Sequence, residues 1–338
     1  MKTISLKSST IHFGEIQELC FDGSVLIITD TQVAPLYLEF LKQKIQAHAL
    51  FSLVIPSGES SKTLQSLEQI LDFAFECGLD RHSTMIALGG GVISDLVGLA
   101  SGLYMRGIAF CNIPTTLLAQ VDASVGGKCG INTQKGKNLI GLFHHPRQVF
   151  ISDIFLKTLS ERELHAGIAE VIKMAICFSP ALFEQLFDSQ WVRNNLLEII
   201  YQSISIKAQV VSKDERECNL RSALNYGHTF GHAIEKEQNF QHFLHGEAVS
   251  IGMVMANALS ARITGFQESE RIITLLQTYN LPTTYQIQNL SAFYQSLFLD
   301  KKTQNKQIKF ILPLKIGSFD FFYPSTQEIQ SILSEFSK

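Results

Sequence analysis

The chain has 338 residues, with 28 lysines and arginines against 31 aspartates and glutamates, a net charge of −3, 46% hydrophobic and 17% charged residues. This balance excludes a disordered chain and argues against a general nucleic-acid surface, which needs a strongly basic stripe. No stretch approaches the ~20 uninterrupted apolar residues of a membrane span, Met1 to Leu6 lacks the apolar run of a secretory signal, and the six cysteines (Cys20, Cys77, Cys111, Cys129, Cys177, Cys218) form no close pair. A cytoplasmic protein with reduced thiols is expected, and the length predicts two domains.

In the first half, short β-branched or apolar runs alternate with helical patterns. Ser24 to Thr29 and Phe51 to Ile55 read as buried strands, the first followed by Asp30 and the second by Pro56-Ser57-Gly58-Glu59. Between Lys62 and Cys77 the apolar residues Leu64, Leu67, Ile70, Leu71, Ala74 and Phe75 follow the helical period, with Gly78 placed to cap the C-terminus. Thr84 to Leu88 predicts a third strand that runs into Gly89-Gly90-Gly91 and a helix. Ile108 to Ile113 predicts a fourth, closed by Pro114-Thr115-Thr116, and Gln148 to Ser152 a fifth. Strands separated by helices imply a mostly parallel sheet, a Rossmann-like α/β nucleotide-binding domain over 1–155. The remainder, 156–338, is expected to be a mainly α-helical metal- and substrate-binding domain. Its predicted helices are Glu161–Phe178, Trp191–Lys213, Ser222–Glu237, Gly246–Ile263, Glu268–Tyr279 and Thr326–Phe336, with a late strand at Ile308–Leu312.

Three groups of residues carry chemistry. The triple glycine between strand and helix suits a dinucleotide, because bare backbone approaches a pyrophosphate closely and the helix N-terminus favours its charge. The spacing is not GxGxxG, so Asp30 and Glu59 at earlier strand ends become the candidates for a ribose hydroxyl. Gln120 to Lys128, followed by Lys135-Gly-Lys-Asn138, combines glycines, cations and an amide, the parts of a phosphate or carboxylate site; Cys129 after Lys128 excludes the Walker pattern. Glu170 and Lys173 share one helix face amid the apolar neighbours Gly167, Ile168, Ala169, Val171, Ile172, Met174, Ala175 and Ile176, where burying charge is costly unless a metal or ligand compensates.

The third group is the densest. Four of the ten histidines fall within the eighteen positions from His228 to His245. His228 and His232 are four apart, the spacing that turns two rings to one helix face, and His245 opens the next helix. Gly227, Gly231 and Gly246 stand beside them at a helix-propensity cost of about 1 kcal/mol each, which packing alone does not obviously explain. A carboxylate joining two imidazoles makes a catalytic zinc set with an open position for substrate.

Four blocks in order, Gly89-Gly-Gly-Val-Ile-Ser-Asp95, Pro114-Thr-Thr to Lys128, Gly136-Lys-Asn138 and Leu224-Asn-Tyr-Gly-His-Thr-Phe-Gly-His-Ala-Ile-Glu235, resemble the 3-dehydroquinate synthase family of the sugar-phosphate cyclase superfamily. The resemblance spans Ser57-Gly-Glu through Asp300-Lys-Lys302. It implies conversion of 3-deoxy-D-arabino-heptulosonate 7-phosphate to 3-dehydroquinate and phosphate, by transient oxidation with NAD, phosphate elimination, re-reduction, ring opening and aldol closure.

By the same resemblance the ligands of Zn2+ or Co2+ are Glu170, His228 and His245, and His232 leaves the metal set for the phosphate side of the substrate pocket. NAD contacts are implied for Asp30, Glu59, Lys62, Gly90, Gly91, Asp95, Thr115, Thr116, Asp122, Lys128, Lys137, Phe155, Thr158 and Leu159. Lys128, Asn138, Lys173, Lys207, Arg221, Asn225 and one or both of Lys301 and Lys302 are implied for substrate. Glu217 is implied as a further acidic active-site residue and Arg106 as an arginine lent across a homodimer interface. Two departures stand out: Met174 replaces a frequent tyrosine, and Cys129, if exposed beside Lys128, would be reactive. Another sugar-phosphate cyclase, acting on a substrate without the carboxylate, or a metal- and NAD-dependent polyol dehydrogenase are the alternatives.

Overall fold

The computed structural model describes residues 2–134, 136–217, 219–239, 241–299, 303–304 and 307–337. Lys301 and Lys302 therefore lie outside the described residues. The chain divides into two compact units, Met1–Ser160 and Glu161–Lys338.

In the first unit, strands β1 (Lys2–Leu6), β2 (Ser9–Phe13), β3 (Val25–Asp30), β4 (Leu50–Ile55), β5 (Thr84–Gly89) and β6 (Ala109–Pro114) precede a two-stranded ribbon, β7 (Lys128–Thr133) and β8 (Gly136–Phe143), and then β9 (Gln148–Ile151). The main sheet has seven strands in the order β1-β2-β9-β6-β5-β3-β4. All its pairings are parallel except β1 with β2. Every residue of β3 and β5 is buried, as expected for central strands covered on both faces.

Strands β3, β4, β5, β6 and β9 lie in the order β4-β3-β5-β6-β9, the 2-1-3-4-5 form of a doubly wound sheet. Successive connections therefore diverge between β3 and β5, and ligands of such sheets bind outside the carboxyl ends at this point. The register pairs Thr29 with Leu88 and Gly89 with Pro114, which brings Asp30, the triple glycine and Thr115 to the same edge. Helix α1 (Leu64–Glu76) is capped by Thr63, whose Oγ1 accepts from Ser66 N at 3.2 Å, and helix α2 (Gly91–Leu103) starts directly from the glycines.

Two elements of this unit differ from the sequence expectation. The β1–β2 hairpin was not expected, because β1 is mostly exposed and offers little apolar pattern. No strand was expected over 128–143 either, yet these residues form the ribbon, where Gly141 stands opposite Gly130. Cys129 on that ribbon is only 8% exposed, and burial pushes its thiol up to about 12, so it is not the reactive exposed cysteine that Lys128 beside it suggested.

The second unit is helical around one central helix. Helices α3 (Glu161–Phe178), α4 (Leu196–Lys213), α5 (His228–Glu237), α6 (His245–Thr264) and α7 (Ser269–Thr278) are followed by a hairpin, β10 (Phe310–Lys315) and β11 (Ser318–Phe322), and by α8 (Thr326–Glu335). Helix α6 packs against α3, α5, α7, α8 and β10, and its middle is buried on nearly every side, including the polar Ser250 and Asn257. The expected helix over 191–213 breaks at Asn195, and that over 222–237 breaks before Gly227, which takes the left-handed φ of +80°.

The glycines beside the histidines are explained by packing after all. A Cβ on Gly246 would lie 1.9 Å from the Ala166 carbonyl of α3, and one on Gly252 would lie 2.1 Å from the Gly227 carbonyl at the start of α5. The two glycines thus let α6 press against the helices that carry Glu170 and His228. Gly252→Ala is expected to destabilise the second unit by about 1–3 kcal/mol through overpacking. A thermal melt should fall by roughly 2–4 °C for each kcal/mol lost; an unchanged melting temperature would show that α5 and α6 part freely.

Candidate active site

At the carboxyl edge of the sheet, the chain folds back over the end of β3. Asp30 Oδ1 accepts from the backbone of Gln32 at 2.8 Å and Val33 at 3.0 Å. Gly90 precedes α2, and a Cβ there would stand 3.2 Å from Thr116, so the glycine leaves backbone amides bare at the helix N-terminus. Thr115 is 4% exposed and its Oγ1 has no protein partner, as is true of Ser94 Oγ in the first turn of α2. Buried hydroxyls of this kind at a positive helix end fit a polar ligand such as a pyrophosphate.

Beside this edge lies a second hydrogen-bonded set. Buried Lys62 donates to Asp95 on α2 and to Asn138 Oδ1 on β8. Asn132 joins it, donating from its side chain to Glu59 Oε1 at 2.7 Å and from its backbone to the Lys62 carbonyl at 2.9 Å, while its Oδ1 accepts from Asn138 N at 3.0 Å. Burial raises the Asp95 carboxyl above its ordinary range against the pull of Lys62, and the charges of Glu59 and Asp122 raise it further. Asn138, assigned by resemblance to substrate, is thus bonded to Lys62, which is assigned to the dinucleotide.

The other expected residues of this unit are more scattered. Lys128 is exposed on β7, Lys137 half-buried on β8, and Arg106 exposed in the turn after α2 with φ +70°. Phe155 is 1% exposed in the core and packs edge-on to Tyr37, whose hydroxyl meets Thr158 Oγ1 at 2.8 Å; Leu159 follows, half-buried.

In the second unit Glu170 on α3 is fully buried. Its Oε2 accepts from Lys173. Its Oε1 has no hydrogen-bond partner and faces His228 Nε2 and His245 Nε2, each at 3.7 Å. One ligand atom from each of the three residues lies within 4.8 Å of the others. Tetrahedral zinc with bonds near 2.0–2.1 Å holds its ligands roughly 3.3 Å apart. An orphaned carboxylate oxygen between two imidazole nitrogens, slightly wider than that, fits a divalent ion better than any hydrogen bond among the three.

His232 is one turn further along α5 from His228, and their rings meet edge to face at 5.3 Å. It groups instead with Glu235 and His245. Glu235 was missed by the sequence reading, although it closes the histidine motif: it is 3% exposed, and its Oε1 lies 3.5 Å from His245 Nδ1. Its signal was its place on α5, seven residues past His228, where two helical turns return to the same face.

The remaining expected residues cluster before α5. Lys207 on α4 and Arg221 are buried. Arg221 donates from its guanidinium to the Glu215 carbonyl and from its backbone to Asp214 Oδ2 at 2.9 Å. Glu217, at φ +60°, accepts from the Asn225 side chain. His245 itself is set by the start of α6. Glu247 accepts from Leu244 N at 2.8 Å and pairs both its oxygens with Arg162, at 2.6 and 2.7 Å.

Known proteins share this arrangement of sequence and fold. A sequence profile described as 3-dehydroquinate synthase N-terminal matches residues 52–166, and one described as 3-dehydroquinate synthase C-terminal matches 167–303. The 3-dehydroquinate synthase of Helicobacter pylori strain G27 is 56% identical over 316 residues, covering 93% of this chain and 92% of the relative. The chain belongs to the 3-dehydroquinate synthase family. The 3-dehydroquinate synthase of a Nitratiruptor species is 48% identical and covers 100% of this chain and 98% of its own length.

Among solved structures, 2-epi-5-epi-valiolone synthase from Streptomyces hygroscopicus subsp. jinggangensis 5008, with NAD+ and Zn2+ bound, superposes with a TM-score of 0.84 at 28% identity, covering 94% of this chain and 91% of that one. A probable glycerol dehydrogenase from Sinorhizobium meliloti 1021, at 14% identity and a TM-score of 0.63 over 96% of this chain and 97% of that one, shares the fold. Among the described residues no helix is long and apolar enough to cross a membrane.

The clamp at the start of α6 gives a pH-dependent prediction. Burial pulls the Glu247 carboxyl up, but the hydrogen bonds from Arg162 and the Leu244 amide outweigh it and leave it below its ordinary value of 4.5. A depressed carboxyl stabilises the fold above its unfolded value and loses that contribution as pH falls through the folded one. Glu247→Gln is therefore expected to be destabilised by about 1–2 kcal/mol at neutral pH. Denaturant melts of the two proteins should converge below about 4.5; a gap that persists in acid would contradict this origin.

Proposed function

We propose that this chain converts 3-deoxy-D-arabino-heptulosonate 7-phosphate to 3-dehydroquinate and phosphate, the second step of the shikimate pathway to aromatic amino acids. It would do so as a carbon–oxygen lyase that uses NAD and a divalent metal, Zn2+ or Co2+, in the form of a cytoplasmic homodimer. The observation that carries the reading is the set formed by Glu170, His228 and His245, with its orphaned buried oxygen, in a chain of this family. The cofactors named for the valiolone synthase support the same choice. When bound, NAD accepts and returns a hydride, and a divalent ion acidifies a coordinated hydroxyl.

The roles of the chain's own residues follow from their chemistry. In the first unit, Gly90 and Gly91 offer the amides of the α2 N-terminus to the pyrophosphate, and Asp30 and Glu59 accept from ribose hydroxyls. Lys62, Asp95, Thr115, Thr116, Asp122, Lys128, Lys137, Phe155, Thr158 and Leu159 complete the dinucleotide side. Lys128 also serves the substrate phosphate, together with Asn138, His232 and a lysine of the Lys301-Lys302 pair, as donors to an anion. Lys173, Lys207, Arg221 and Asn225 are assigned to the carboxylate and ring hydroxyls. Glu217 accepts from Asn225 and so decides which way that amide points. The departing phosphate can remove the neighbouring proton itself, which leaves the protein chiefly the task of orientation, worth about 7–11 kcal/mol in well-aligned systems. Buried Arg221 and Lys207 favour a substrate with a carboxylate over one without. Arg106, exposed in its turn, is assigned to the dimer partner's site.

The purified protein with zinc and NAD is expected to release phosphate from the heptulosonate phosphate while no NADH accumulates. Stoichiometric NADH would identify a polyol dehydrogenase, and turnover only of a sugar phosphate without the carboxylate would identify another cyclase. His245→Ala is expected to remain folded by circular dichroism yet lose bound metal and activity together. Metal retained in elemental analysis would remove His245 from the ligand set.

A further inference from the structure

Both histidines beside Glu170 are turned the same way. Each presents Nε2 to Glu170 Oε1 at 3.7 Å and points Nδ1 away from it. His228 Nδ1 lies 3.3 Å from the Tyr226 carbonyl, which can only accept, so that nitrogen carries the proton and Nε2 keeps its lone pair. His245 has a carboxylate in the equivalent place, Glu235 Oε1 at 3.5 Å from Nδ1.

The two rings also differ in how firmly their surroundings hold them. The His228 side chain is 9% exposed, whereas that of His245 is 30% exposed at the first residue of α6. A half-open imidazole at a helix start can rotate or exchange its proton between nitrogens unless a partner prevents it. Glu235 is suited to do so. It is 3% exposed, it projects from the last turn of α5, and a carboxylate buried there needs a donor to offset its desolvation.

We propose that Glu235 is a positioning residue: its carboxylate holds the Nδ1–H of His245, so that an unprotonated Nε2 is the atom presented beside Glu170 and His228. The inference rests on the reading of those three residues as a metal centre. It makes α5 the source both of one ligand and of the support for another. The competing use of the same atoms is a second ion held by His232, Glu235 and His245, whose donor atoms also lie within 4.8 Å of one another. That use would require His245 Nδ1 to be unprotonated.

The test is zinc binding to the full chain, measured by competition with a chromophoric chelator, with apo-protein melts recorded alongside. Glu235→Ala should bind zinc roughly 10–100-fold more weakly than wild type. Glu235→Gln, whose amide oxygen still accepts the Nδ1 proton, should lose much less, and all three should bind one zinc per chain. Should Glu235→Ala not fold, a long-range 15N–1H spectrum of the zinc-loaded wild type decides alone: His245 should carry its proton on Nδ1. The proposal is overturned by wild-type affinity in Glu235→Ala, by a stoichiometry of two that falls to one in that variant, or by a protonated Nε2 on His245. Absence of zinc binding by the wild type would overturn the metal centre as well, and would be seen before any variant is compared.

Discussion

A carboxylate with no exposed surface is the constraint around which the second unit is arranged. Glu170 sits in a stretch of α3 where its neighbours Ile168, Ala169, Val171 and Ile172 are all buried, so an uncompensated charge there costs several kcal/mol. Lys173, one turn along the same helix, meets one of its oxygens, and two imidazoles face the other. Those imidazoles come from different helices, and they converge only because α6 can approach α3 and α5 at glycine-limited distances. A side chain at Gly246 or Gly252 would push apart the helices that carry the three groups. The residues that look weakest as helix formers therefore set the geometry of the cluster.

In the first unit the corresponding constraint is topological. A parallel sheet in the 2-1-3-4-5 order gathers the carboxyl ends of its strands, with Asp30, the triple glycine and Thr115, at one edge. The ribbon of β7 and β8 then ties Glu59, Lys62 and Asp95 to Asn132 and Asn138. The buried Lys62 ammonium is held by Asp95 and Asn138, and loss of Asp95 would leave its charge without a counterion.

Much of this was legible in the sequence. The central strands were marked by continuous apolar runs, and α3 by a helical period that held from Glu161 to Phe178. What escaped shares one physical cause: local patterns do not report tertiary partners. The ribbon of β7 and β8 went unexpected because each strand's partner is invisible in local pattern, and Gly227 hid a helix start because its left-handed turn interrupts the period. Cys129 looked reactive beside a lysine until burial was known. Spacing on one helix alone pairs His228 with His232; the resemblance replaces that pair with Glu170, His228 and His245, and the structure places one ligand atom from each of these three within 4.8 Å of the others. Glu235 was visible as the last letter of a motif, and only its distance to His245 gives it a role.

The central claim is that Glu170, His228 and His245 hold one divalent ion. Anomalous diffraction at the zinc edge, on crystals of the full chain grown with zinc, tests it most directly. The account predicts a single strong peak about 2.0–2.2 Å from Glu170 Oε1, His228 Nε2 and His245 Nε2. A peak bonded to His232 in place of His228, or zinc bound away from Glu170, would contradict it.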